Sequence, residues 1–408
     1  MNENNPQALP VGRLNKTPLL LAMMIIATGQ VGVSIYLPSL PLISQDLGVS
    51  PADVQLLITL FLVGFGGSQL FYGPLSDALG RRPIFILGQG VYLLGTVLCV
   101  SMTDNFTALV LGRLLQGLGA GSASVLGRSV LRDSYSGYHL TKAMSYISIT
   151  ASILPILAPV IGGWIAWHFS WEWVFGFVLI YLICILTLGY FILPETLPYE
   201  PQKFSFRQTL RDYGSLFSNA QVMSSASLNW VSYLGSLVSV SLLPFLLQGG
   251  LGLTTAEYGE VMIIPSAGLM IGSFILNSLN KRYSVDVLIG LALSIMTVSG
   301  LWLILFDTSL FSLIFAFTLL AVAQGISFPL SINLLLAPHT KKVGTISALS
   351  GSIQMCLAGL LGGYLVKNWV VDQDSLGLFY LTITIIMLFV LLWNKQVRRK
   401  LNNYKSET

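Results

Sequence analysis

From Pro18 onward the chain alternates long apolar stretches with short clusters of charged and turn-forming residues. About 20 mostly apolar residues cross ~30 Å of hydrocarbon as a helix. By that measure the pattern predicts membrane spans at 18–39, 54–75, 83–102, 106–131, 143–167 and 173–193, then at 221–248, 257–279, 286–306, 309–337, 344–368 and 376–394. Between the sets lies a polar interval from Pro194 to Asn219, carrying Glu195, Glu200, Lys203, Arg207, Arg211 and Asp212. The expected fold class is an all-α polytopic membrane protein of 12 transmembrane helices in two six-helix halves, 18–193 and 221–394. Residues 194–220 form the linker, with polar tails at 1–17 and 395–408. The first apolar stretch is longer than a signal-peptide core and lacks a small-x-small cleavage site, so it reads as a retained first span.

Composition supports this reading and narrows the function. Of 408 residues, 54% are hydrophobic and 9% charged, against about 25% charged in an ordinary soluble protein, which excludes large soluble domains. A net charge of +4 is too small and too scattered for a nucleic-acid binder. Cys99, Cys184 and Cys356 each sit in an apolar run as packing residues, without CxxC or a His spacing that would suit a metal. The histidines, His139, His168 and His339, read as loop residues, and no HExxH, paired intramembrane acids or nucleophile elbow argues for an enzyme.

The position of the charges is more informative than their sum. With the amino terminus placed in the cytoplasm, 19 of the 21 basic residues fall inside, leaving Lys367 outside and Arg113 within a span. The 17 acids split 9 outside and 8 inside. Because the positive-inside rule weighs Lys and Arg rather than net charge, both termini are expected in the cytoplasm.

The halves echo one another. A turn ending in a basic pair, Arg81-Arg82, follows the second span, and Lys281-Arg282 follows the eighth. Gln116-Gly117 recurs as Gln324-Gly325, and Gly162-Gly163 as Gly362-Gly363. A parallel duplication explains these offsets, and two halves flanking a midplane site form a transporter plan.

Amides in hydrocarbon are costly unless they face other helices or water. Gln30, Gln69, Gln116, Asn229, Gln324, Asn333 and Gln354 occupy spans one, two, four, seven, ten and eleven, whereas spans three, six, nine and twelve contribute only Gln89 to their interiors. Every third helix thus reads as lipid-facing, and the others as lining a polar passage. Tyr36, Trp230, Tyr233, Met262, Met270 and Met355 lie near these amides and offer broad, adaptable surfaces. The expected cavity residues are Gln30, Tyr36, Gln116, Asn229, Tyr233, Gln324 and Gln354.

No Asp or Glu lies mid-span, so this cavity suits neutral or amphipathic compounds held by dispersion and a few hydrogen bonds. The buried charge is Arg113, which either snorkels to the outer headgroups or acts as a fixed charge that orders helices or helps move a proton. Pro159, Gly162 and Gly163 combine a missing backbone donor with side-chain-free positions, allowing close approach or a bending point.

The stretch G-P-L-S-D-A-L-G-R-R-P from Gly73 resembles the signature between spans two and three of the major facilitator superfamily. G-R-L-L-Q-G-L-G-A-G from Gly112 and A-P-V-I-G-G from Ala158 resemble the span-four and span-five motifs of its twelve-span drug/proton antiporters. Y-L-P-S-L-P from Tyr36, Q-L-F-Y-G-P-L-S-D from Gln69 and the pair Arg132-Asp133 are similar to the Bcr/CflA branch. The resemblance implies multidrug efflux by alternating access, driven by the proton gradient across a bacterial inner membrane. It also implies that Asp77, Arg81 and Asp133 form a charge network, with Arg82, Arg113 and Arg132 joining them in gating and proton coupling. Several relatives carry a span-one carboxylate for protonation, where this chain has Gln30. The alternative is a facilitator or symporter for a specific small nutrient. The expected partners are small-molecule drugs, protons and the lipid bilayer, with no nucleic acid, no cofactor and a monomeric state.

Overall fold

The computed structural model describes residues 16–197, 205–338 and 343–407. Arg13, Glu200, Lys203, His339, Lys341 and Lys342 lie outside the described residues. Among those described, the first half consists of α1 (Lys16–Ser34), α2 (Pro51–Leu79), α3 (Arg81–Ser101), α4 (Phe106–Ser134), α5 (Gly137–His168) and α6 (Glu172–Ile192). A linker helix, Phe206–Phe217, follows. The second half consists of α7 (Ala220–Pro244), α8 (Thr255–Leu279), α9 (Val285–Leu305), α10 (Leu310–Leu336), α11 (Gly344–Asn368) and α12 (Gln373–Glu407). Eleven of these are long and apolar enough to cross a bilayer, and α5 carries the apolar stretch Ile153–His168.

Local chemistry sets the helix starts. Ser50, Asn105, Asn219 and Ser309 accept first-turn backbone N–H groups at the starts of α2, α4, α7 and α10. Thr254 and Glu257 form a reciprocal capping box before α8. The first span departs from its expected end at residue 39, because α1 stops at Ser34 and the chain continues as a short 3-10 turn, Leu37–Ser39, and a short helix, Leu40–Asp46. Pro38 and Pro41, which lack N–H donors, stand in the first turns of these two pieces. His139 and His168 lie in the first and last turns of α5 rather than in loops.

Each half has its own apolar core, the first built around Leu57, Phe61, Tyr92 and Leu109 and the second around Leu242, Met296, Leu320 and Tyr380. Leu237 of α7 and Ala358 of α11 pack into the first half's core, so apolar contact continues across the boundary. The helices expected to face lipid carry large exposed apolar side chains: Leu94 on α3, Phe191 on α6, Leu305 on α9 and Phe389 on α12. In water such surface would be a liability; in hydrocarbon it is the appropriate exterior.

Candidate functional site

The turn after α2 is fixed by Gly80, whose φ of +98° favours glycine and whose missing side chain leaves room for the Glu195 carboxylate. Glu195 Oε1 and Oε2 accept the backbone N–H groups of Arg81 and Arg82 at 2.9 and 3.2 Å. This caps α3 from the exit of α6 and neutralises donors that a helix start leaves unmet. Sequence reasoning missed this role for Glu195, although an acid just beyond a span end was the available signal.

Behind the cap, Arg81 is buried and pairs with two acids: Nη1 lies 2.6 Å from Asp77 Oδ1, and Nε lies 2.8 Å from Asp133 Oδ2. Nη1 also donates to Ser76 Oγ at 2.6 Å. Asp133 is nearly buried and Asp77 about half exposed, so the network has a dry side on α4 and a wet side on α2. Arg82 stands apart from it, donating to the Tyr190 carbonyl at 2.7 Å and lying over the Tyr190 ring.

Arg113 does not snorkel. It is 2% exposed and donates to the carbonyls of Leu57 and Gly32 and to Gln116 Oε1 at 3.3, 2.9 and 2.6 Å. Its guanidinium carbon lies 3.8 and 4.1 Å from the Tyr36 and Phe61 ring centroids. Gln116 in turn donates to Thr96 Oγ1 at 2.9 Å. Arg113 thereby ties α4 to α1 and α2, Gln116 extends the tie to α3, and Tyr36 belongs to this cluster.

Among the described residues, two cavities lie at the boundary between the halves. One, of about 190 Å³, is lined from the first half by Gln30, Ile58 and Pro159 and from the second by Tyr233, Met262 and Gln324. Gln324 also donates to the Ser232 carbonyl at 2.9 Å, which fixes the amide where α10 meets α7. Asn229 and Gln354 hydrogen-bond each other at 2.7 Å, linking α7 and α11 away from this cavity. The second cavity, of about 480 Å³, lies at the Asp77 end and is lined by Asp77, Arg81, Arg128, Arg132, Asp133 and part of α11.

The opposite end is tied shut across the boundary. Lys367 pairs with Asp53 at 2.9 Å, Gln55 donates to the Ser241 carbonyl at 3.2 Å, Thr59 to that of Gly359 at 3.1 Å, and Gln248 to that of Pro38 at 2.9 Å.

The paired glycines occupy matching places in the two halves. A Cβ at Gly162 would lie 1.7 Å from the Ile35 carbonyl just beyond α1, and one at Gly362 would lie 3.3 Å from Leu234 on α7. A Cβ at Gly163 would meet the Thr255 carbonyl of α8 at 2.2 Å, and one at Gly363 would meet Thr59 Oγ1 of α2 at 2.1 Å. In each pair, then, the first glycine faces its own half's first helix and the second faces the opposite half's second helix. Helix α5 runs unbroken through Pro155 and Pro159, whereas α11 widens into a π-type turn over Ala358–Gly362.

Comparison with known proteins agrees with this architecture. Residues 19–363 match the family model of the Major Facilitator Superfamily. The chain is 29% identical to "Multidrug resistance protein D" of Escherichia coli over 93% of its own length and 95% of that protein's. It is 30% identical to "Bicyclomycin resistance protein homolog" of Haemophilus influenzae, covering 85% and 88%, and 28% identical to "Multidrug resistance protein MdtL" of Shigella dysenteriae, covering 84% and 86%. Among solved structures, the fold matches a nucleoside transporter with a TM-score of 0.73 at 12% identity, covering 93% of this chain and 99% of that one. It matches a D-xylose–proton symporter with a TM-score of 0.70 at 14% identity, covering 90% and 96%.

Proposed function

Because the chain belongs to the Major Facilitator Superfamily, we propose that it is a multi-pass inner-membrane transporter that exports hydrophobic and amphipathic drugs in exchange for protons. It is a transporter of small molecules and not an enzyme. The relatives named for multidrug and bicyclomycin resistance support efflux over nutrient uptake. The observation that carries the reading is the 190 Å³ cavity, whose lining comes from both halves and contains tyrosines, prolines, amides and aliphatic groups but no carboxylate or ammonium.

Such a lining holds varied ligands by dispersion, with Gln30, Gln324 and Tyr233 offering hydrogen bonds. Its volume is below the 300–1,000 Å³ typical of drug-sized sites, so a drug enters only as the halves part. The distribution of basic residues supports an orientation with the Asp77 end and both termini in the cytoplasm. On that orientation the ties around Asp53 seal the periplasmic side, and the wider cavity faces the cytoplasm. Export then requires the outer ties to break and the inner helix ends to close, with the glycine contacts of α5 on α8 and of α11 on α2 as the sliding surfaces.

Proton coupling is assigned to the acids around Arg81. Rocking that separates these helix ends parts the pairs and opens both carboxylates to the cytoplasmic cavity. Arg113 supports this by fixing α4, which carries Asp133, against α1 and α2. The protein acts as a monomer, each chain enclosing its own pathway.

The test is transport in proteoliposomes without sodium. An imposed pH gradient should drive efflux of several chemically unrelated drugs, and an uncoupler should abolish it. Uptake of one nutrient class, with no drug movement, would replace this reading with the facilitator alternative.

A further inference from the structure

The 480 Å³ cavity holds a charged feature that the transport reading leaves unused. Arg128 and Arg132 stand one helical turn apart on α4, both exposed to this cavity, and neither makes a hydrogen bond or ion pair with the described residues. Like charges four residues apart on a helix repel, so this arrangement is costly unless something negative sits against it.

The chain's own acids in the cavity are otherwise engaged. Asp77 and Asp133 are held by Arg81, while Asp212 accepts from Gln208 and has a further partner. Uncommitted donors, by contrast, lie beside and across from the arginines. The hydroxyls of Ser129 on α4 and of Thr345 and Ser347 on α11 line the same space, and the Arg132 guanidinium reaches Gly344 in the first turn of α11. Backbone N–H groups at a helix start lack intrahelical acceptors and favour negative charge.

We propose that Arg128 and Arg132, with the start of α11, form an oxyanion site that binds a phosphate group. The group is either free inorganic phosphate or the phosphodiester of an anionic lipid. Guanidinium forks match the geometry of phosphate oxygens, and donors from both halves line one cavity. A ligand touching α4 and α11 together bridges the halves and favours the state in which these helix ends stand at the present spacing. The site concerns an anion and not the drug, so its test is independent of drug efflux.

The experiment measures binding of radiolabelled inorganic phosphate to the purified full-length protein in neutral detergent. Retention of phosphatidylglycerol against phosphatidylcholine is followed in parallel by native mass spectrometry. Saturable phosphate binding is expected, falling with ionic strength and weakening about tenfold in Arg128→Gln and in Arg132→Gln. Thr345→Val, on the other half, should weaken it by a smaller factor. Phosphate binding without a phosphatidylglycerol preference supports the site with free phosphate as ligand, and preferred phosphatidylglycerol that phosphate displaces supports it with the lipid headgroup. Arg128→Lys and Thr345→Val provide the comparison if the glutamine variants lose their monodisperse elution. The proposal is overturned if the wild type shows neither phosphate binding nor a lipid preference, or if both persist unchanged in well-folded Arg128→Gln/Arg132→Gln protein.

Discussion

Lys367 and Asp53 meet at 2.9 Å although 314 residues separate them in the chain, joining the end of α11 to the first turn of α2. Both side chains are about half exposed, 48% and 45%, and a pair this wet contributes about 0–1 kcal/mol. Lys367→Met should therefore change efflux by less than about fivefold, because Gln55, Thr59 and Gln248 keep their own ties. Covalent closure should act far more strongly. With Asp53→Cys and Lys367→Cys joined by a short thiol-specific cross-linker, efflux should stop, and it should return when a cleavable linker is cut. Wild-type efflux in fully cross-linked protein would show that the halves do not separate here.

The glycine contacts give a second, sharper prediction. Gly163 faces a backbone carbonyl, which cannot swing aside as a side chain can. Overpacking of this kind costs about 1–3 kcal/mol, so Gly163→Leu should lower the unfolding temperature and reduce transport. Gly363→Ala should be milder because its neighbour is a side-chain hydroxyl, Thr59, which can turn away at the loss of its bond to the Gly359 carbonyl. Gly67 on α2 has open space around it, so Gly67→Ala should be neutral or stabilising by about 0.5–1 kcal/mol. A thermal-shift series over these three variants orders the effects, and equal shifts for Gly67 and Gly163 would refute the packing argument.

A third prediction concerns Arg113, whose bonds go to carbonyls on α1 and α2 and to the Gln116 amide on its own helix. Lysine has one ammonium and cannot reproduce a planar fork stacked between Tyr36 and Phe61. Arg113→Lys should thus destabilise nearly as much as Arg113→Gln, by several kcal/mol, because either leaves buried acceptors unmet. Chemical denaturation in detergent measures this. Retention of wild-type stability by the lysine variant would mean that only the charge matters.

The twelve spans were legible in the sequence because apolar length is a property of contiguous residues. Boundaries moved where local chemistry intervened, as at Pro38 and Pro41, whose effect on the end of α1 competes with the hydropathy of the same stretch. The Gln116-Gly117 and Gln324-Gly325 echo was visible, and the structure gives it a shared meaning. A Cβ at Gly117 would meet the Phe61 carbonyl on α2 at 2.1 Å, and one at Gly325 would meet the Leu269 carbonyl on α8 at 2.2 Å. Which amide faces the 190 Å³ cavity was not legible, since Gln30 and Gln324 line it while Gln116 is turned toward Arg113. Depth in a span does not encode the helix's rotation about its axis, which depends on partners distant in sequence. Arg128 and Glu195 were passed over for a related reason: the first entered only the tally of inside basic residues and the second only the linker's charges, and the fold places them at a cavity and a helix start.

Orientation gives a fourth prediction. Single cysteines near Asp104 and Asp307 should react with a membrane-impermeant maleimide added to intact cells, whereas those near Arg211 and Lys281 should react only after permeabilisation. Labelling of the Arg211 site from outside would invert the assignment of both cavities.

The last prediction separates gating from proton coupling within one network. Arg81 holds Asp77 at 2.6 Å on the wet side and Asp133 at 2.8 Å on the nearly buried side. Losing a buried partner leaves a charge uncompensated and costs about 3–5 kcal/mol, whereas an exposed partner is replaced by water. Asp133→Asn should therefore destabilise the protein more than Asp77→Asn, which should insert normally yet lose most transport, as expected of a charge that biases two states and does not touch the drug. Neither acid lines the 190 Å³ cavity, so drug affinity should be retained in both variants. If these acids carry the proton, drug-induced proton release in proteoliposomes should fall further than drug binding in at least one variant, and the Asp77→Asn/Asp133→Asn double variant should release none. Intact release from the double variant would remove Asp77 and Asp133 from the coupling step. Attention would then move to Arg113 and the hydrogen bonds it makes on α1 and α2, where a buried charge is held between helices.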